Sequence, residues 1–163
     1  MRLTNQVPVG TSPLGFTVVN DKKSDGTISE PTTITIQSLT YVVGIPEVYI
    51  NSSNYENPFV FQNGTGANWQ LQSSTRQHMN GQYYRVYTFT FIGPKTSSSV
   101  ADNTTTRPTS WPNSAFDANL RYNSRMCSYP SYQIWGGYTA TMTAANGGTV
   151  KTDTLPPQWV TMK

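Results

Sequence analysis

Acid–base catalysis needs positioned titratable side chains, and this sequence holds few: five Asp, three Glu and one His in 163 residues. No acid falls between Asn57 and Ala101. His78 stands two residues before Asn80-Gly81, which reads as an exposed strand end rather than a base. Cys127 lies in "RYNSRMCSYP" with Arg121 and Arg125 close in sequence. Positive neighbours can activate a thiolate. Yet His78 is 49 residues away and no third group completes a relay, so an inert, buried cysteine is the better reading. "DKKSDGTISEPT", Asp21 to Thr32, approaches a calcium loop, but Lys23 and Thr32 fall where ligand oxygens are needed, leaving a turn at Asp25-Gly26. No phosphate-cradling glycine loop, zinc spacing or nucleophile elbow is present. The expectation is a non-enzyme with no catalytic residues, no metal and no cofactor.

Binding chemistry has better candidates. The acid-free stretch carries Arg76, His78, Arg85 and Lys95, and Arg85 alternates with Tyr87, Phe89 and Phe91. Arg among aromatics on a sheet could hold a phosphate backbone with stacked bases, which makes Arg85 and Tyr87 candidate ligand contacts. The simpler reading makes the aromatics a core face, with Arg85 reaching to solvent from the strand end. Trp111, in the polar stretch "RPTSWPNS", could serve as a flat platform for a sugar.

The elements that must position these residues are strands. "ITIQSLTYVV" puts Ile34, Ile36, Ser38, Thr40 and Val42 on one face and Thr35, Gln37, Leu39, Tyr41 and Val43 on the other. "NWQLQSSTRQHM" and "QYYRVYTFTF" flank Asn80-Gly81. That dipeptide suits a type I′ turn, which needs positive φ at both central positions, so an antiparallel hairpin is expected. No 3.6-residue apolar period is convincing. The stretch from about 93 to 130 is rich in Ser, Thr and Pro and reads as a long irregular loop. Pro8 and Pro13 near one end, and Pro156, Pro157 and Trp159 near the other, suggest extended arms at about 1–13 and 155–163 that dock on other molecules. The expected fold is all-β: one antiparallel β-sandwich domain over 1–163, immunoglobulin-like or jelly-roll.

Composition narrows the class. Charged residues are 12%, about half the usual share, and the net charge of +3 comes from few charges. That balance makes no case for a nucleic-acid site by itself. One cysteine excludes an intrachain disulfide. No apolar run approaches the length of a membrane helix. The opening Met1-Arg2-Leu3-Thr4-Asn5 lacks the apolar core of a signal peptide, which leaves two readings: assembly into a virion in a host cytosol, or an extracellular or cell-surface chain whose leader has been removed.

At "GGYTATMTAANGGTVKTDT", Gly136 to Thr154, Tyr138, Ala140, Met142 and Ala144 alternate with Thr, and Asn146-Gly147-Gly148 supplies a turn. This stretch resembles the last strand pair of immunoglobulin-like modules in phage structural proteins and in bacterial surface and pilus proteins. The resemblance implies a sandwich and a tyrosine-corner role for Tyr138. "YYRVYTF" is similar to a strand of small RNA phage coats, but those coats end in helices that "TLPPQWVTMK" cannot form. The functional expectation is a non-enzymatic structural protein of a phage or virus particle (coat, spike, decoration or tail component) that self-assembles. Its partners would be copies of itself or other virion proteins. The alternative is a surface adhesin, pilus subunit or carbohydrate-binding module that contacts a host glycan.

Overall fold

A computed structural model describes residues 2–3, 18–19, 32–61, 68–93, 97–100, 105–106, 120–123, 125–129, 133–144 and 150–161. The described strands are β1 (Arg2–Leu3), β2 (Val18–Val19), β3 (Thr32–Pro46), β4 (Phe59–Phe61), β5 (Trp69–Met79), β6 (Gln82–Phe91), β7 (Ser97–Val100), β8 (Thr105–Thr106), β9 (Leu120–Tyr122), β10 (Gln133–Ala144) and β11 (Val150–Thr161). The fold is all-β. Its main sheet is antiparallel and runs β11-β10-β3-β6-β5. β3 is long enough to pair β6 along Thr40–Pro46 and β7 along Thr32–Thr35.

The expected hairpin is present. Met79 faces Gln82 across the turn, and Asn80 and Gly81 take φ of 51° and 78°. Both lie in the left-handed region that a type I′ turn demands, which Gly tolerates freely and Asn better than most residues.

Strict alternation fails in β3, for a local reason. Thr141 of β10 faces Ser38, but Met142 faces Ile36, so Gln37 is an extra residue on β3. A one-residue bulge shifts the side-chain parity. Ile36 is therefore buried ahead of the bulge, and Leu39, Tyr41, Val43 and Ile45 beyond it. These join Tyr138, Ala140 and Met142 of β10 and Tyr87 and Phe89 of β6 in one core. Tyr138 packs its ring 4.6 Å from that of Tyr41. Gly136 is required beside them, because a Cβ there would lie 2.9 Å from Tyr41 Oη and 3.0 Å from the Val42 carbonyl.

A thin second layer covers this face. β4 pairs β9 antiparallel and drives Phe59 and Phe61 edge-on against Tyr87 and Phe89, at 5.8 and 5.1 Å between ring centres. The layer continues as the segment 47–58, which starts in a 3-10 turn, Glu47–Tyr49. Backbone hydrogen bonds from Asn51 to Met126 and from Ser128 to Tyr49, each 2.8 Å, tie it to 125–129.

Two expectations change. The stretch 93–130 is not a strand-free loop, since β7 pairs β3, β8 pairs β2 and β9 pairs β4. Pro156, Pro157 and Trp159 do not form a free arm. They lie in β11, hydrogen-bonded beside β10, with Trp159 opposite Trp135. The register slips between Gly136 and Tyr138, where β11 spends one extra residue at Pro156-Pro157. Proline has no N–H to give a ladder, so a bulge on an edge strand accommodates it. At the other end, Arg2–Leu3 pairs Val18–Val19. Pro8, Pro13, Trp111, the Asp25-Gly26 turn and Asn146-Gly147-Gly148 lie outside the described residues.

Candidate functional site

The side chains with chemistry converge where β3 ends and the hairpin turns. Pro46 closes β3 opposite Tyr84. The 3-10 turn that follows puts Glu47 over the sheet face, where its side chain is 7% exposed. On that face Arg76 of β5 and Arg85 of β6 are direct cross-strand partners, as are His78 and Tyr83. Like charges directly opposite each other are unfavourable. Glu47 resolves this pair: its Oε1 lies 3.2 Å from Arg76 Nε and its Oε2 4.0 Å from Arg85 Nε. The second distance is an ion pair without a hydrogen bond, and neither Glu47 Oε2 nor Arg85 Nε has another hydrogen-bond partner. This is an Arg–Glu–Arg node with one tight arm and one loose arm.

Tyrosines complete it. The Arg76 guanidinium carbon sits 3.7 Å from the Tyr83 ring centre, and that of Arg85 4.4 Å from the Tyr55 ring centre. Both are cation–π contacts. His78 meets Tyr83 edge-on at 5.0 Å. The neighbouring Glu47 carboxylate, with burial, raises the Tyr55 phenol above its ordinary pKa. Tyr55 takes a φ of 54°, a left-handed backbone that a bulky residue rarely adopts. Its carbonyl is held from below by Tyr87 Oη, which donates at 3.0 Å.

Arg85 and Tyr87, expected as ligand contacts, sit beneath this surface. Tyr87 is fully buried, and burial is the largest cause of its strongly raised phenol pKa. Arg85 is 19% exposed and points at Glu47 and Tyr55, not to solvent. The exposed member is Arg76, at 54%. It lines a pocket of about 230 Å³ with Glu47, Val48, Tyr55, Gln82 and Tyr83. In the sequence Arg76 stands out only as one of four basic residues of the acid-free stretch, and Glu47 does not stand out at all.

Cys127 is buried, and that burial raises its thiol pKa, the opposite of an activated nucleophile. Among the described residues no group of His, Cys, Asp and Glu could hold a metal ion. Nor is any described helix long and apolar enough to cross a membrane.

A second feature is the outer strand of the hairpin. From Gln70 to His78 every residue of β5 is exposed, nine in succession, although side chains of a strand alternate between faces. Among the described residues no strand pairs the outer side of β5, which stands as the sheet's free edge. No family model matches the chain, and comparisons with curated proteins and with solved structures return no match either.

Proposed function

We propose that this chain is a non-enzymatic structural subunit of a phage or virus particle, and that it assembles by pairing the β5 edge with a second copy. The observation that carries the reading is the nine-residue exposed run of β5 at the end of the main sheet. A long free edge is a template for strand addition, and proteins that stay monomeric blunt such edges with proline, lysine or a covering segment. β11, the opposite edge, has Pro156-Pro157 and a bulge. Between Trp69 and Met79 there is no proline and no lysine, and Arg76 is the one residue always charged.

The hairpin fixes which groups are offered. Met79 and Gln82 close the two-residue turn as a hydrogen-bonded pair, so alternate residues Gln77, Thr75 and Ser73 bond β6. His78, Arg76 and Ser74 then aim their backbone N–H and C=O outward. An antiparallel copy centred on Ser74 or Thr75 sets Arg76 against Gln72 or Ser74, and most of the other pairs join uncharged polar side chains. Only a pairing centred on Arg76 would place two guanidiniums face to face. The product is a continuous sheet ten strands across, with β7 of each copy beside its β3.

Size-exclusion chromatography with light scattering tests this. Wild-type protein is expected to form oligomers at micromolar concentration. Ser74→Pro removes an outward N–H that the monomer does not use, so it should fold normally and remain monomeric. A wild-type protein that stays monomeric at high concentration, or a Ser74→Pro variant that assembles like wild type, overturns the reading.

A further inference from the structure

We infer that the pocket between the 3-10 turn and the hairpin tip binds the carboxylate of an acidic sugar unit, with Arg76 as its anchor. The inference does not depend on assembly through β5.

The charge that a ligand meets decides the class. Glu47 is 7% exposed, with Oε1 engaged by Arg76 and Oε2 enclosed beside Arg85. Its negative charge is matched from within by two guanidiniums. What remains at the surface is Arg76, half exposed. A cationic ligand would meet a net positive node whose Tyr83 and Tyr55 rings already carry guanidiniums. An anion meets a guanidinium that is already positioned: Glu47 holds its Nε and Tyr83 lies under its plane. Among the described residues Glu47 is the acid paired with Arg76, and it meets Nε rather than the terminal nitrogens. Their planar pair suits end-on recognition of a carboxylate. A side chain fixed in advance loses little rotamer freedom on binding, which is where a single contact gains affinity.

Size and lining select among anions. About 230 Å³ is below the range of roughly 300–1,000 Å³ typical for drug-sized ligands, and it suits one sugar ring. The Gln82 amide and the Tyr55 and Tyr83 hydroxyls can exchange hydrogen bonds with ring hydroxyls. Val48, 77% exposed, offers apolar surface to the C–H face of a pyranose. A bare phosphate would use the guanidinium and leave the rest of this lining idle.

The test is a titration of the isotope-labelled protein, followed by amide NMR. The probes are glucuronate, N-acetylneuraminate, glucose, inorganic phosphate and a short single-stranded oligonucleotide. The acidic sugars should shift the amides of Glu47–Tyr55 and Arg76–Tyr83 with millimolar affinity, and glucose should not. Arg76→Gln should weaken acidic-sugar binding at least about tenfold, as loss of a charge-assisted contact requires, while keeping a dispersed spectrum. Arg76→Lys should restore part of the affinity and Gln82→Ala should lose several-fold. The inference fails if glucose binds equally or if Arg76→Gln binds like wild type. It also fails if phosphate or the oligonucleotide shifts the same amides as strongly as glucuronate. A monomeric protein that binds glucuronate would overturn assembly and leave this site standing.

Discussion

Replacing Glu47 with Gln should cost about 2–3 kcal/mol of stability. The substitution keeps shape and removes one charge, leaving Arg76 and Arg85 directly opposed across β5 and β6. Removing one partner of a fully buried ion pair costs about 3–5 kcal/mol. Two features of this node lower that figure. Arg76 is 54% exposed, and exposed pairs contribute only about 0–1 kcal/mol. The Arg85 arm spans 4.0 Å without a hydrogen bond, though Arg85 itself is only 19% exposed. For a chain of this size each kcal/mol moves Tm by about 2–4 °C, so a fall of about 5–10 °C is expected. Thermal and urea unfolding, followed by circular dichroism, give the measurement. Salt should narrow the gap, because screening weakens the Arg76–Arg85 repulsion that the variant exposes. Adding Arg85→Met should recover much of the loss by removing the stranded charge. A Glu47→Gln protein within about 0.5 kcal/mol of wild type, the range of ordinary surface substitutions, would refute the node. So would a double variant less stable than Glu47→Gln alone.

The remaining predictions concern the core and the second layer. Gly136→Ala forces a Cβ to within 2.9 Å of Tyr41 Oη and should destabilise by about 1–3 kcal/mol, read by urea unfolding. Trp69→Ala removes the ring that meets Tyr41, Phe91 and Tyr138 and should cost about 3–5 kcal/mol in the same assay. Tyr87→Phe loses the hydrogen bond to the Tyr55 carbonyl, costing about 1 kcal/mol and speeding amide exchange in 51–57. In the wild type, burial raises the Tyr87 pKa above the unfolded value of 10.0. Its neutral phenol therefore contributes full stability below about pH 10, and this is lost as pH climbs through the higher folded value. An alkaline titration of Tm should show that loss in wild type and less of it in Tyr87→Phe. Cys127, raised above 9.0 by burial, should react with a thiol reagent at pH 8 far more slowly when folded than in denaturant.

The parts of this fold that local chemistry dictates could be read directly. Asn80-Gly81 specified a turn, and the turn specified β5 and β6 and their register. The aromatic alternation of Tyr87, Phe89 and Phe91 marked a face that packs inward. Bulges could not be read in the same way. Gln37 and Gln72 each break a ladder without any residue type that announces it, because the extra residue is defined by the partner strand. The sequence pattern of β3 thus placed Ile36 and Leu39 on opposite faces, while the folded chain buries both. Ser97–Val100 lacked strand signals because Ser has low β preference, and pairing with β3 overrides that preference. Pro156-Pro157 argued against a strand, and an edge with a bulge removed the objection. The node was least legible. Glu47 meets Arg76 and Arg85 only after β3, the 3-10 turn and the hairpin have folded together. Sequence proximity therefore pointed to Arg85 among its aromatics and away from the exposed Arg76.

Amide hydrogen exchange on β5, measured at low and high protein concentration, tests edge pairing most directly. Thr75 and Gln77 bond β6 in the monomer and should be protected at both concentrations. Ser74, Arg76 and His78 point outward, so their amides should exchange freely when dilute and become protected as oligomers form. Oligomers that form while these three amides stay unprotected would place the assembly contact elsewhere and contradict the account.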